Sequence, residues 1–339
     1  MNAADAAVTL LTSGLRLGEA QESGPLTLVP LFHEGEAVAY RLFAGALADG
    51  MVTVEELGGG SVPELVVANH GVEAVLLLEG EVVGGLRQTR TLNTTVLVPP
   101  RETLVIPVSC VEEHRWGASS PAAREEVHAS PGVRSAKNIG VRERALLGEG
   151  FGADIPEVWA SVDRHLEAHG VHSPSGSYTE VQHRRRGRLD EILAALRPVP
   201  GQRGVLAMAG GRPLALDVFD RPDTLALLWP GLVGSYAADA VVARPGRHRR
   251  EAAARAAAWV AALAGGEASA HRGVGRGEVV FLSAPAAVVS ALIVGGALVH
   301  LAAVWAPGAP EEALVPVGAG EARGGSAAGS RPSWFGEPR

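Results

Sequence analysis

Two polar clusters hold most of the side chains in this chain that could do chemistry. The first is Arg87, Gln88, Arg90 and Asn93, just after the glycine pair Gly84-Gly85. The second is Cys110, Glu112, Glu113, His114, Arg115 and Trp116. Arginine carries a planar fork of donors that meets phosphate or carboxylate oxygens two at a time, which lysine cannot do. The amides of Gln88 and Asn93 can read a ribose or the edge of a base. Glu112, a carboxylate set among arginines, can orient a water or a hydroxyl and is the candidate acid or base. Cys110 is the only thiol in the chain, and it becomes a nucleophile only beside a base or a positive field. His114 lies four residues on, about 13 Å away along a strand, so contact needs a turn directly after Cys110. The competing role for Cys110 is plain burial, the commonest fate of a free cysteine. Trp116 either stacks on a ligand ring or caps the core. Arg87 and Arg90 point to opposite faces of a regular strand, so without a bulge at most one enters a site. The bland reading of the whole group is an ion pair from Glu112 to Arg90 or Arg115 that holds the rim of a sheet.

The elements between the clusters must position them. Thr95 to Val98 and Thr103 to Val108 are rich in β-branched residues, and Pro99-Pro100-Arg101-Glu102 breaks them apart, which predicts an antiparallel hairpin. Its outer ends would bring Arg90 and Asn93 to Cys110 and Glu112.

The same stretch carries a resemblance. GGLRQTRTLN followed by IPVSCVEEHRW resembles the core signature of the bacterial domain family named for its association with ADP-ribosylglycohydrolases and rhodanese-phosphatases. That family has a Gln-Asn-Arg-like element after a Gly pair; here it reads Gln88-Thr89-Arg90, with Thr89 in place of the usual Asn. Its Pro-Val-Ser-Cys-Val-Glu element is matched from Pro107 through Arg115-Trp116. The resemblance spans about residues 14–305. It implies functional association with ADP-ribosylglycohydrolase-type enzymes and a small ligand derived from NAD or ADP-ribose. It implies no particular reaction.

Composition bounds the rest. An apolar fraction of 47% is that of a globular protein, and 339 residues allow a substantial core. A net charge of −7 argues against general nucleic-acid binding. One cysteine excludes an internal disulfide framework and suits a reducing cytoplasm. MNAADAAVTLL has no basic n-region, so no signal peptide is expected. Val279 to Trp305 lacks Asp, Glu, Lys and Arg and is long enough to span a membrane. Gly295-Gly296 between β-rich runs favours a buried hairpin in a soluble protein instead.

Along the chain, the spacing predicts a strand at 26–32, a helix over 40–48, and strands at 51–57, 62–68, 74–78 and 82–86. This β-rich half, 26–116, resembles a small sandwich. His33 and His70 lack the spacing of a cupin metal site. A polar connection over 117–132 leads to a mixed half, 133–305. Helices are expected at 133–147, 155–168, 188–196, 224–229, 233–242 and 251–264, with hairpins about Gly210-Gly211 and Gly295-Gly296. The class is α+β, as one domain over 14–305, and 318–339 reads as a disordered tail.

Three other motifs invite a function. His165, His169 and His172 form H-x3-H-x2-H, but no Glu follows His165 in the metalloprotease manner, so no metal is assigned. Gly273, Gly275 and Gly277 precede a strand and no Lys-Ser/Thr pair, which fails both phosphate-loop contexts. The basic runs 184–188 and 247–250 could meet an anion, and more often such runs are solvated faces. The expectation is therefore a cytoplasmic protein that binds, and could process, a phosphate-bearing ligand at Arg90, Asn93, Glu112 and Arg115, with Arg87, Gln88 and Trp116 beside them. No cofactor, metal, nucleic-acid or membrane partner is assigned; no second carboxylate is placed to complete a hydrolytic pair, and Glu79, Glu81 and Glu113 are candidates only. The alternative is a non-catalytic scaffold whose polar motif is a structural ion-pair network.

Overall fold

The computed structural model describes residues 2–57, 63–115, 121–243, 251–284 and 286–306. Trp116, the basic run 247–250 and the tail 318–339 lie outside them.

The largest sheet is antiparallel and runs Arg16–Leu17, Leu26–Phe32, Gly204–Ala209, Arg212–Phe219, Ala297–Trp305, Ala287–Val294, Glu278–Ala284, Glu267–Arg272, with Gln21–Ser23 also on Leu26–Phe32. A strand from the N-terminal part of the chain thus pairs directly with Gly204–Ala209. The glycine pairs turn as expected: φ is positive at Gly210, Gly211, Gly295 and Gly296, the conformation a two-residue hairpin loop demands. The uncharged stretch from Val279 is therefore strand, not helix. Helices Ala3–Thr9 and Ala252–Ala264 cover one face of this sheet, burying Trp259 over Val29, Leu206 and Val289. Thr179–Ala194 and Pro222–Val242 cover the other. Pro222–Val242 is long and apolar enough to cross a membrane, yet 56% of its most apolar window is buried inside the protein, as in a core helix.

Two smaller sheets face each other across a third core built from Phe43, Val54, Val67, Val75, Leu92 and Val108. One runs Ala123–His128, Glu81–Gly84, Arg90–Leu92, Thr103–Cys110, Glu64–Asn69, Val52–Glu56. The other runs Val96–Val98, Val75–Leu77, Arg41–Leu42. Helices Pro131–Leu146 and Ile155–Ala168 join these sheets to the large one through a fourth core. Asp154 caps the second of them, its side chain accepting from the Glu157 N–H, and Pro156 sits in the first turn. The class is α+β with a β-rich N-terminal half, as expected.

Several local expectations fail. Val96–Val98 does not pair with Thr103–Cys110: it joins Val75–Leu77, while Thr103–Cys110 pairs with Glu64–Asn69 and Arg90–Leu92. Arg101 at φ 61 turns the chain between sheets instead of closing a hairpin. The polar connection contains a strand, Ala123–His128, whose ladder to Glu81–Gly84 satisfies backbone that composition marked as loop. Residues 224–229 and 233–242 form one helix, because Pro230 forfeits one N–H bond but the helix's apolar face stays buried on the sheet. The helix at 188–196 is longer, Thr179–Ala194, and the one at 40–48 shrinks to Phe43–Ala48, its first residues being drawn into a parallel strand pair.

Candidate functional site

Arg90–Leu92 lies between Glu81–Gly84 and Thr103–Cys110, with Arg90 opposite Val83 on one side and Cys110 on the other. The two polar clusters do meet, through this pairing and not through the predicted hairpin. Arg90 is wholly buried. Its Nη1 donates to Gln88 Oε1 at 2.7 Å, whereas Nε and Nη2 have no hydrogen-bond partner. No carboxylate forms an ion pair with it among the described residues. Two further buried hydroxyls in the same stretch, Thr91 and Thr94, are also without partners. Buried donors are seldom left so, since each costs about 1–3 kcal/mol.

Glu112 sits at the end of the neighbouring strand and is nearly buried. Its Oε2 accepts from the Thr89 amide at 3.1 Å, the Thr89 hydroxyl at 2.8 Å and Arg115 Nε at 2.8 Å. Burial pushes this carboxyl up, but the bonds from Thr89, Arg115 and Ser175 outweigh it and hold it below the ordinary range. It is an ionised acceptor already occupied by donors. Around it the chain is latched: Gln88 Nε2 donates to the Glu112 carbonyl at 3.0 Å, and Arg115 Nη2 to the Gly85 carbonyl at 3.2 Å. The Tyr178 amide donates to the Val111 carbonyl at 2.9 Å, which ties in the loop before Thr179–Ala194. Cys110 is buried beneath this latch with its thiol on the Glu112 carbonyl at 3.1 Å; burial pushes the thiol up. The chain turns at Glu113–His114, but the His114 ring is exposed and faces Glu113 at 3.8 Å, while its amide donates to the Ser175 carbonyl.

The other expected residues separate. Arg87 is half exposed and pairs with Glu56, Nε to Oε2 at 3.3 Å. Arg87 and Arg90 thus diverge: Arg87 lies in the bend between Glu81–Gly84 and Arg90–Leu92, where Leu86 has φ 52, and Arg90 lies in the strand. Asn93 is spent: Nδ2 donates to the Phe151 carbonyl at 2.9 Å and Oδ1 accepts from Ser109 at 2.7 Å. The glycine pair has a steric origin. A Cβ on Gly85, at φ +71, would lie 2.1 Å from the Pro121 carbonyl oxygen. Gly84-Gly85 is therefore what lets the 121–125 segment cross the motif.

Sequence reasoning missed a second polar centre beneath the first. Arg134, in the first turn of Pro131–Leu146, donates from Nε and Nη2 to Glu79 Oε2 at 2.9 and 2.7 Å. From Nη1 and Nη2 it meets Asp217 at 2.9 and 2.8 Å. One turn on, Lys137 Nζ spends its three protons on Glu79 Oε1, the Asn93 carbonyl and Asn138 Oδ1. Asp217 also takes the Tyr236 hydroxyl and His300 Nε2, and His300 Nδ1 meets Thr95 at 2.8 Å. All four ions are buried and their charges cancel. Burial alone would push Glu79 up; Arg134 and Lys137 hold it down at about 2. This centre joins Arg212–Phe219 and Ala297–Trp305 of the large sheet to the small-sheet turn at Glu79, and every nitrogen of its two cationic groups makes at least one hydrogen bond. Of its members only Glu79 was a candidate. The others sit in runs that read as an ordinary helix face or strand. Glu81, beside it, accepts the Leu78 amide at 2.7 Å.

His165 and His169 do share a helix face, with ring centroids 4.8 Å apart, but His172 is exposed and apart from them. His165 stacks on Tyr178 and faces Asp239 at 3.4 Å. No group of three or more His, Cys, Asp or Glu that could hold a metal occurs among the described residues. The glycine-rich turn is tight for packing reasons: a Cβ on Gly275 would lie 2.3 Å from the Leu97 carbonyl oxygen.

The sequence matches a family model, that of the ARG and Rhodanese-Phosphatase-superfamily-associated Protein domain, over residues 14–304. Neither a curated protein nor a solved structure matches it.

Proposed function

The chain belongs to the family of the ARG and Rhodanese-Phosphatase-superfamily-associated Protein domain, and from that premise we propose that it binds a small phosphate-bearing ligand, derived from NAD or ADP-ribose, through Arg90. The observation that carries this reading is the free edge of the Arg90 guanidinium. Nε and Nη2 form one side of the fork, the pair that engages two oxygens of a phosphate or carboxylate at once. An ordinary structural arginine at such depth has a carboxylate there. The family association supplies the ligand class, and the fork supplies the anion. Glu112 and Arg115 act as the latch that holds the Arg90 strand, not as ligand groups, since their bonds are already made.

A second reading, a non-catalytic scaffold, is favoured by the saturation of the Glu112 latch. Arg90→Met separates the two. Methionine fills similar volume without charge, and replacing a poorly compensated buried ion by an apolar side chain is often neutral or stabilising. The ligand reading expects saturable calorimetric binding of ADP-ribose, NAD or ADP that is lost in Arg90→Met with the melting temperature kept or raised. Flat titrations with all three ligands, together with a lowered melting temperature in Arg90→Met, would leave the scaffold reading. Mass spectrometry of each mixture after incubation tells binding from turnover.

A further inference from the structure

The large sheet has two edges, and the fold treats them differently. At one, Leu26–Phe32 is covered by two very short strands, Arg16–Leu17 and Gln21–Ser23, and short edge strands are a common way to blunt an edge. At the other, Glu267–Arg272 pairs with Glu278–Ala284 on its inner side alone. This strand keeps an unbroken register, without proline, lysine or a bulge, and each of its residues is at least partly exposed. Among the described residues nothing bonds to the backbone of its outer side.

Alternation fixes which groups that side offers. The Gly273 amide donates to the Gly277 carbonyl at 3.0 Å, in the register of the ladder, so Glu267, Ser269 and His271 turn their N–H and C=O inward. Ala268, Ala270 and Arg272 therefore present theirs outward. The side chains divide between the two faces. Ala268 packs toward the Trp259 core, whereas His271 lies edge-on to Phe281 on the opposite face, its Nε2 3.2 Å from Ser269 Oγ. Small residues over 268–270 let a second backbone approach. Glu267, exposed and without an ion pair among the described residues, stands at one end, with His271 and Arg272 at the other.

We propose that Glu267–Arg272 pairs antiparallel with the same strand of a second copy of this chain, joining two large sheets into one across a two-fold axis at Ser269. Outward-facing residues must meet outward-facing residues, so the axis passes through a residue and not between two. With the axis at Ser269, Ala268 exchanges both backbone bonds with Ala270 of the second copy. Glu267 then lies opposite His271 of the second copy, where a ring nitrogen can donate to the carboxylate. Symmetry makes each of these contacts twice. Moving the axis to Ala270 sets Glu267 against Gly273, and moving it to Ala268 sets Glu267 against Ser269; either loses both acid–imidazole pairs. The strand complements itself in one register, which argues for a second copy over an unrelated peptide. Edge pairing this short buries little area, so association is weak and depends on concentration.

The test is sedimentation equilibrium of the full chain from about 1 to 200 µM, the range a small interface calls for. Wild type moves from monomer toward dimer as concentration rises. Ala270→Pro removes an N–H that has no partner within the chain, a change edge strands tolerate, and stays monomeric with an unchanged circular-dichroism spectrum. His271→Glu sets like charges opposite each other twice and weakens dimerisation about tenfold; adding Glu267→His rebuilds the pair in reverse and restores most of it. Ser269→Cys reads the register. Facing residues of a non-hydrogen-bonded pair lie about 4.5 Å apart at Cα, within disulfide range. The native Cys110 is buried, so mild oxidation of Ser269→Cys yields a dimer linked through that position alone. A wild type monomeric throughout the range, dimers that persist in Ala270→Pro, a reversed pair that restores nothing, or a Ser269→Cys chain that stays uncrosslinked would each overturn the proposal.

Discussion

Glu79→Gln tests whether the buried ionic centre holds the sheets together. In the folded protein Glu79 faces two cations within hydrogen-bonding distance, and its carboxyl is held at about 2 against an ordinary 4.5. At about 1.4 kcal/mol per pH unit, that drop corresponds to about 3 kcal/mol of stability at neutral pH. A separate route gives a similar figure, since breaking a buried pair by removing one partner costs about 3–5 kcal/mol. The substitution leaves two buried cations against one carboxylate, Asp217. Urea unfolding at pH 7 should therefore show a loss of about 3–5 kcal/mol and a melting temperature lower by about 6–12 °C. Glu79→Gln combined with Lys137→Met restores the balance of charge and should recover part of that loss, a coupling visible in a double-mutant cycle. The pH dependence has a definite sign. Glu79 releases its proton more readily folded than unfolded, so its contribution is complete above about pH 4.5 and drains away as pH falls toward 2. The gap between wild type and Glu79→Gln should narrow over that window. A gap below about 1 kcal/mol at pH 7, or two curves that stay parallel down to pH 3, would refute the centre's role.

Three further outcomes are expected. His128, pushed down by burial and by Arg134 to about 3, stays neutral in the fold while the unfolded chain takes up a proton; wild type should lose stability as pH falls from 6.5 toward 3, and His128→Gln should flatten that part of a urea-midpoint profile. Gly85→Ala should lower the melting temperature far more than Gly84→Ala, because its Cβ meets a backbone oxygen at positive φ, whereas at Gly84 it meets the movable Glu125 side chain. Cys110 should react with a thiol-specific disulfide reagent only as the protein unfolds; rapid native labelling would put a nucleophilic role back in play.

The sequence made the β-rich half and the glycine-pair hairpins legible because period-two runs and two-residue turns are local signals. It also placed Arg90 near Cys110, but by the wrong pairing. Thr103–Cys110 could close a hairpin with Val96–Val98 or bond to Arg90–Leu92 and Glu64–Asn69. The choice rests on long-range burial of Val96–Val98 in the other sheet, which no local pattern encodes. Arg134, Lys137, Asp217 and His300 were invisible for a related reason. Each lies in a run typical of its element, and only the packing of a helix onto two sheets brings together residues as far apart in sequence as Glu79 and Asp217. Within the stretch that carries the resemblance, geometry separates the side chains: Gly84-Gly85 gives clearance, Glu112 is bonded to Thr89 and Arg115, and the Nε–Nη2 edge of Arg90 has no partner.

The contrast between the two buried arginines is the sharpest physical statement the fold makes. Arg134 uses Nε and Nη2 to grip Glu79 and its remaining fork to grip Asp217, so the cost of burying its charge is offset by two carboxylates. Arg90 is equally buried, but its Nε–Nη2 edge faces no acceptor and its one bond goes to a neutral amide. Left alone, that arrangement works against folding; several kcal/mol of desolvation are met by about one hydrogen bond. On the ligand reading the deficit becomes part of the affinity, because an arriving phosphate completes the fork and recovers what burial of the cation cost. It follows that Arg90→Lys should fail where Arg134→Lys merely weakens. A lysine at 134 can still reach one of two carboxylates, whereas at 90 it keeps the burial cost and loses the bidentate edge. Retained ligand binding in Arg90→Lys would mean that charge alone, and not the fork, is what the site supplies.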